Sequence, residues 1–262
     1  MRKLTEISEF VIEYIAINSS PHQEILDNLK EFLEILDLDF ESEVEDSTLR
    51  GFSRKNTITL NVKWYEGSEN TFILKCKGVE EDLIIFREEL EDSAKTYFDD
   101  IILVFNEIAR DYNTKCYEYL HDLENELRMA IIFCLAKRYG KRWWDQRIPS
   151  DIKDGQGDRK GTKSKKIEDL EELRLKGHDS EDLHEIFYTY FPDLKKIIEK
   201  RDNWREVFED IFGRRDVLVK LDELYPLRNI IAHNRYLTKE NADTVELYYK
   251  KLGRFLAIMN EW

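Results

Sequence analysis

The sequence predicts an α+β domain over residues 1–106 followed by an all-α helical domain over residues 107–262. Alternating apolar and polar residues in the first part indicate strands, and apolar residues at a helical spacing in the second part indicate amphipathic helices. The chain contains only 10 Gly and 4 Pro, which favours helices over a turn-rich all-β fold.

Four segments of the first part have strand character. Residues 56–65, NTITLNVKWY, and residues 70–78, NTFILKCKG, place apolar side chains at every second position around a short turn, which predicts a β-hairpin. Residues 10–17, FVIEYIAI, have the composition of a strand, although their glutamate spacing also suits a helix. Residues 100–105, DIILVF, are compatible with a final strand or with the start of the next helix.

Helices are predicted in both parts of the chain. One follows Pro21, where apolar residues recur on a single helix face, and another covers residues 80–95. Residues 113–140 predict a long helix that ends at Gly140, and residues 153–166, which are basic and lack apolar side chains, predict a loop. Further helices are predicted near residues 167–176, 180–188, 192–212 and 214–235, and from Thr238 to the end.

Charge and cysteine usage exclude several classes of protein. A formal net charge of −14 argues against a DNA-sliding or histone-like protein, although a locally basic site can still bind nucleic acid. The three cysteines, Cys76, Cys116 and Cys134, are odd in number and lack C-x-x-C spacing, which is typical of a reducing compartment. The sequence shows no signal peptide and no apolar run of about 18 residues, so a cytoplasmic protein without a membrane partner is expected.

The segment LDELYPLRNIIAHNRYL, residues 221–237, carries the candidate chemistry. At helical spacing Asn229 and His233 share a face, and the long side chain of Arg228 reaches toward His233 from about one turn away. The R-x4-H spacing alone also occurs in helices where both residues are structural. The sequence around it favours the chemical interpretation.

A guanidinium, an imidazole and an amide on one helix suit RNA cleavage without a metal or cofactor. His233 can take the proton from a ribose 2′-hydroxyl or give one to the leaving 5′-oxygen, and Arg228 can hold the phosphate and stabilise its charge in the transition state. Asn229 and Asn234 can orient the imidazole or bind a phosphate oxygen. The expected products are a 2′,3′-cyclic phosphate and a 5′-hydroxyl.

Four segments together resemble the HEPN superfamily of helical RNA-acting domains, and the Swt1-type group in particular. These are YLHDLENELRMAI, RYGKRWWDQRIPSDI, NWREVFEDIFG and LRNIIAHNR, and the resemblance covers about residues 112–262. It implies a helical bundle, a homodimer that brings two R-x4-H motifs into one cleft, and metal-independent endoribonuclease activity in toxin–antitoxin or antiviral defence systems. By the resemblance Arg228 and His233 are the catalytic pair, with Asn229 beside them and Glu124 and Arg128 in supporting roles.

Basic residues are concentrated just after the first helix of this region. Between Lys137 and Lys166 there are 11 Lys or Arg against 4 Asp. Such a concentration steers RNA toward a cleft, or it is simply a solvated loop beside a helix end. The candidate RNA-binding residues are Lys141, Arg142, Arg147 and Lys160.

Two other interpretations stay open. A non-catalytic HEPN-like module would bind RNA or a nucleotide, or hold a protein partner, and the acidic N-terminal half favours it. Alternatively, residues 1–106 act as a target-recognition or antitoxin-like part that restrains the helical domain. RNA, a second copy of the chain and an antitoxin or defence-system protein are therefore the expected partners.

Overall fold

The computed structural model describes residues 8–19, 22–43, 48–53, 57–65, 67, 69–153 and 184–257. The chain divides into two compact units, Met1–Asp111 and Tyr112–Trp262. The first is an α+β unit and the second is mostly helical. None of the described helices is both long and apolar enough to cross a bilayer.

The first unit is built on a six-stranded sheet in which every neighbouring pair of strands is antiparallel. The order across the sheet is β2-β3-β4-β5-β1-β6. The strands are β1 (Glu9–Asn18), β2 (Leu38–Glu43), β3 (Thr48–Ser53), β4 (Thr59–Tyr65), β5 (Asn70–Val79) and β6 (Asp100–Asn106). Both segments whose class the sequence left open, FVIEYIAI and DIILVF, are strands.

Two helices complete this unit, α1 (His22–Ile35) and α2 (Glu80–Tyr97), and both were predicted. They pack against each other, and α2 also packs against β1 and β5. Because side chains alternate between the two faces of a strand, β4 buries Leu60, Val62 and Trp64 while the residues between them stay accessible. The predicted hairpin is confirmed as β4 and β5, with Leu60 opposite Cys76.

The pair β2–β3 was not predicted. Each of these strands has six residues, and Gly51 interrupts the apolar pattern of β3. The packing around the glycine is close, because a Cβ at position 51 would lie 3.2 Å from Leu38 Cδ1 and 3.3 Å from Leu33 Cδ2, and these side chains would have to move by a few tenths of an ångström.

The long helix α3 (Glu107–Tyr139) starts six residues before the predicted position. The side-chain oxygen of Asn106 accepts a hydrogen bond from the backbone N–H of Ala109 at 3.0 Å, as a helix N-cap does. β6 therefore ends directly in a cap, and α3 begins without a loop. The helix ends at Tyr139, and Gly140 follows with φ +64°, which confirms the predicted stop.

Helices dominate the second unit. After α3 come α4 (Trp143–Arg147), α5 (Ser150–Lys153), α6 (Phe191–Glu199), α7 (Arg201–Asn203), α8 (Glu209–Phe212), α9 (Asp216–Ala232) and α10 (Lys239–Ala257). A π-helical turn, Trp204–Phe208, joins α7 to α8. Pro226 lies inside the single helix α9, within the predicted helix 214–235. The predicted loop beyond Lys153, the predicted helix 167–176 and residues 180–183 of the next one lie outside the described residues.

The core of the second unit is contributed by α3, α6, α9 and α10 together with the turn before α8. Its fully buried members include Leu123 and Ile131 of α3, Leu194 of α6, Leu224 of α9 and Val245 of α10. Since α3 and α9 each give one face to this core, the adjoining faces of the same two helices are free to form a surface groove.

Candidate active-site groove

A surface groove of about 260 Å³ lies between α3 and α9. We call it the α3–α9 groove. It is lined by Tyr117, Leu120, His121, Glu124, Asn125 and Arg128 of α3 and by Arg228, Ile231 and Ala232 of α9. Three of the residues singled out from the sequence, Arg228, Glu124 and Arg128, are therefore brought together in one place.

The periodicity of α3 explains its contribution to the groove. Positions 117, 121, 124 and 128 lie three or four residues apart and so follow one stripe along the helix. The neighbouring stripe, which includes Leu123, Leu127 and Ile131, is fully buried in the core. The core thus fixes the rotation of α3 and presents the polar stripe to the groove.

Glu124 connects the two arginines of the groove. Its Oε1 accepts a short hydrogen bond from Arg128 Nη2, and its Oε2 lies 3.9 Å from Arg228 Nε. The Glu124 side chain is only 14% exposed, whereas that of Arg228 is 33% exposed. A nearly buried carboxylate therefore faces a guanidinium that remains open to a ligand.

Arg128 is almost entirely buried, with 8% of its surface exposed. Its Nη1 donates to Asn125 Oδ1 at 3.1 Å, and its Nη2 also donates to the backbone carbonyl of Thr189 at 3.2 Å. Within the described part of the chain its Nε is buried without a hydrogen-bond partner. These contacts fix Arg128 as part of the wall beneath Glu124 and Asn125.

The end of α9 places His233 at the rim of the helix. The last helical residue is Ala232, and His233 is the C-cap with φ −102° and ψ 17°. Its backbone N–H donates to the carbonyl of Asn229 at 3.1 Å. The residue is exposed and directly follows groove-lining Ala232, but it is not itself among the lining residues. Along the parts of the chain that the structure describes, no side-chain hydrogen bond or ion pair of His233 is found.

Asn234 has a conformational role that the sequence did not reveal. Its φ is +54°, in the left-handed region. The N–H of Asn234 donates to the carbonyl of Ile231 at 3.0 Å, and the N–H of Arg235 donates to the carbonyl of Ile230 at 2.9 Å. This pair of bonds is a Schellman motif, in which the residue after the cap takes a left-handed conformation. Asn234 thus turns the chain away from α9 directly after His233.

Asn229 is half-buried and lies outside the lining of the groove. Its contact with the motif histidine is the backbone hydrogen bond described above. The i, i+4 spacing of Asn229 and His233 therefore corresponds to a backbone hydrogen bond in the last turn of α9. The side chain of Arg228 is directed toward Glu124.

The candidate RNA-binding residues have different environments. Lys141 and Arg142 are exposed in a 3-10 turn, Gly140–Arg142, directly after α3. Arg147 donates to Glu206 Oε2 at 2.8 Å, its guanidinium carbon lies 3.7 Å from the centroid of the Tyr139 ring, and its side chain is 17% exposed. These three residues do not line the α3–α9 groove. Lys160 lies outside the described residues.

His121 and Asn125 were not identified as site residues from the sequence, yet both line the groove. Of the two, only His121 carries a titratable side chain. The signal that identifies it is its position on the stripe of Glu124 and Arg128, one turn earlier on the same helix.

Among the residues that the structure describes, no group of three or more His, Cys, Asp or Glu side chains is close enough together to hold a metal ion. A comparison of the chain with protein-family models and with curated proteins finds no match.

Proposed function

We propose that the chain is an endoribonuclease that cleaves single-stranded RNA by attack of the ribose 2′-hydroxyl, with Arg228 and His233 as its catalytic pair. The observation that supports this most is the α3–α9 groove, in which Arg228 faces Glu124 at 3.9 Å and remains one-third exposed, while His233 ends the same helix in an exposed turn. A partly exposed guanidinium with one long ion pair can exchange that contact for a phosphate oxygen.

The chemistry requires two proton transfers and stabilisation of one additional negative charge. Arg228 would bind the scissile phosphate and stabilise the charge on its non-bridging oxygens. His233 would accept the 2′-hydroxyl proton or protonate the leaving 5′-oxygen. Because the nucleophile belongs to the substrate, the protein has to supply the guanidinium that binds the phosphate and the imidazole that transfers the proton.

The direct test uses the full-length protein and single-stranded RNA in the presence of EDTA. We expect products that end in a 2′,3′-cyclic phosphate and a 5′-hydroxyl, and DNA of the same sequence should stay intact. His233→Ala and Arg228→Ala should each lower the rate by about 100-fold or more, the usual contribution of general acid–base or phosphate-stabilising groups. The matched arginine variant is Arg205→Ala, which alters an exposed residue outside the groove. The matched histidine variant is His184→Gln, also outside the groove, and its melting temperature must equal that of wild type, because His184 Nδ1 accepts from the N–H of Ile186 and its ring stacks on Trp143. Full activity in a pure His233→Ala preparation would refute the proposal.

A specific observation supports the second candidate, a module that binds RNA or a nucleotide without cleaving it. Among described residues the His233 imidazole has no partner to orient it, whereas catalytic imidazoles are usually held by a second group. This interpretation predicts that the wild-type protein binds single-stranded RNA and releases it intact, and that Arg228→Ala weakens the binding. The same cleavage assay, run beside a binding titration, separates the two functions.

We also propose that the helical unit forms a homodimer, as the resemblance to HEPN domains implies. Met129 and Phe133 lie one turn apart on α3, are 61% and 43% exposed, and would give apolar surface to such an interface. Light scattering after gel filtration should give twice the 31.5 kDa mass of the chain.

An antitoxin or a defence-system protein is a further proposed partner, and co-expression with neighbouring genes is the way to search for it.

A further inference from the structure

The α3–α9 groove itself contains an imidazole, that of His121. The His121 side chain is 58% exposed and lines the groove together with Arg228. Its ring stacks on Tyr117, with 6.1 Å between ring centroids and 26° between ring planes. Unlike His233, it has polar neighbours at its ring nitrogens.

The neighbours of the ring are Asn125, which the buried Arg128 holds in place, and Asp122. Asn125 Oδ1 accepts from Arg128 Nη1 at 3.1 Å, which turns the amide NH2 of Asn125 toward His121. The amide nitrogen lies 3.3 Å from His121 Nε2 and 3.5 Å from Nδ1. Asp122 Oδ1 lies 3.4 Å from Nδ1. Arg128 is buried and fixed by three acceptors, and it holds Asn125 in place. Because the Asn125 amide nitrogen is almost equidistant from the two ring nitrogens, it packs against the His121 ring and is aligned with neither of them.

A purely structural role accounts poorly for these features. The side chain of His121 is mostly exposed and therefore contributes little to the core. An imidazole that packs against Tyr117 and Asn125, is open to solvent and shares a groove with an arginine is instead placed to transfer protons to a bound anion.

Resting on the proposed function, we propose that His121 is a second catalytic proton-transfer residue, which acts with His233 on a phosphodiester bound by Arg228. One imidazole takes the proton from the 2′-hydroxyl as the bond from O2′ to phosphorus forms. The other, in its protonated form, gives a proton to O5′ as the bond from phosphorus to O5′ breaks. After the step the histidine that acted as base carries the 2′-hydroxyl proton, and the histidine that acted as acid has lost its own. Proton exchange with water restores both after product release.

The test compares two RNA substrates that differ at one linkage, an ordinary phosphodiester and one whose leaving 5′-oxygen is replaced by sulfur. A thiolate leaves without protonation, so the sulfur substrate needs a general base but no general acid. The variants are His121→Gln and His233→Gln in the full-length protein, with His184→Gln as the matched histidine outside the groove. Thermal melting and binding of an RNA with a 2′-deoxy block at the scissile position check that fold and affinity are retained.

On ordinary RNA we expect His121→Gln to lose about 100-fold or more in rate, and His184→Gln to stay close to wild type. On the sulfur substrate one of the two variants, His121→Gln or His233→Gln, should recover to within about 10-fold of wild type while the other stays impaired. Every other pattern overturns the inference, including near-normal cleavage of ordinary RNA by His121→Gln. If wild-type protein leaves RNA uncut, the proposed function fails and the inference with it. If wild-type protein cuts RNA, His233→Gln is impaired and His121→Gln cuts as fast as wild type, the proposed function stands and the inference alone fails.

Discussion

Glu124 is the side chain on which the geometry of the α3–α9 groove depends most, and Glu124→Gln gives a quantitative prediction. The variant keeps the size of the side chain but removes its charge. Arg128, 8% exposed, then keeps its bonds to Asn125 and Thr189 and loses the only carboxylate partner found for it among the described residues. A charge-assisted hydrogen bond contributes about 1.5–3 kcal/mol, and breaking a buried ion pair costs about 3–5 kcal/mol. Because two other acceptors remain, we expect the free energy of unfolding to fall by about 2–3 kcal/mol.

For a unit of this size, such a loss lowers the melting temperature by about 5–10 °C. Far-ultraviolet circular dichroism reports it, because helices dominate the second unit. The matched control is Glu246→Gln, which removes an i, i+4 partner of the same spacing. Its lysine, Lys250, is 62% exposed, and exposed pairs contribute little. Equal melting temperatures for Glu124→Gln and Glu246→Gln would show that burial of the Glu124–Arg128 pair does not stabilise the fold.

Two further predictions concern the turn after α9 and the cysteines. Since Asn234 has φ +54°, Asn234→Ala should cost about 1 kcal/mol of unfolding free energy in urea denaturation, while Asn234→Gly should cost nothing and leave RNA cleavage unchanged; a cleavage defect in the glycine variant would assign the amide a chemical role instead. Burial raises the pKa of the Cys116 and Cys134 thiols to about 11 and raises that of Cys76 as well. A raised thiol pKa means less thiolate, so at about pH 8 native protein should react with Ellman's reagent about 100-fold more slowly than urea-unfolded protein, and a fast-reacting thiol in the native state would contradict this.

Much of the fold could be predicted because the hydrophobic periodicity of the segments agreed with the turn and glycine residues at their ends. The hairpin β4–β5 alternates over its whole length, and α3 ends at Gly140, which has φ +64°. The strands β2 and β3 escaped prediction because each is short and because Gly51 takes an apolar position for a steric reason that only the packed sheet reveals. The early start of α3 escaped because the cap, Asn106, is also the last residue of a strand.

The candidate site could be predicted only as far as helical spacing reaches. The resemblance gives Arg228 a catalytic role and Glu124 and Arg128 supporting roles, and the structure places these three residues in one groove. The left-handed turn at Asn234 could not be foreseen, because a helix pattern continues through Ala232 and gives no sign of where it stops. His121 was not selected from the sequence, although it lies on the same stripe of α3 as Glu124 and lines the same groove.

The charge balance of the groove constrains what can bind there. Arg128 and Arg228 bring two positive charges, and Glu124 brings one negative charge that both arginines share. The groove lining is therefore cationic inside a chain of net charge −14. A neutral ligand would gain nothing from replacing Glu124 at Arg228, because the arginine would exchange a carboxylate for a weaker acceptor. A phosphodiester supplies an anionic oxygen to Arg228, and Glu124 keeps its ion pair with Arg128. Anionic ligands are therefore the class that can bind Arg228 without leaving either arginine of the groove unpaired.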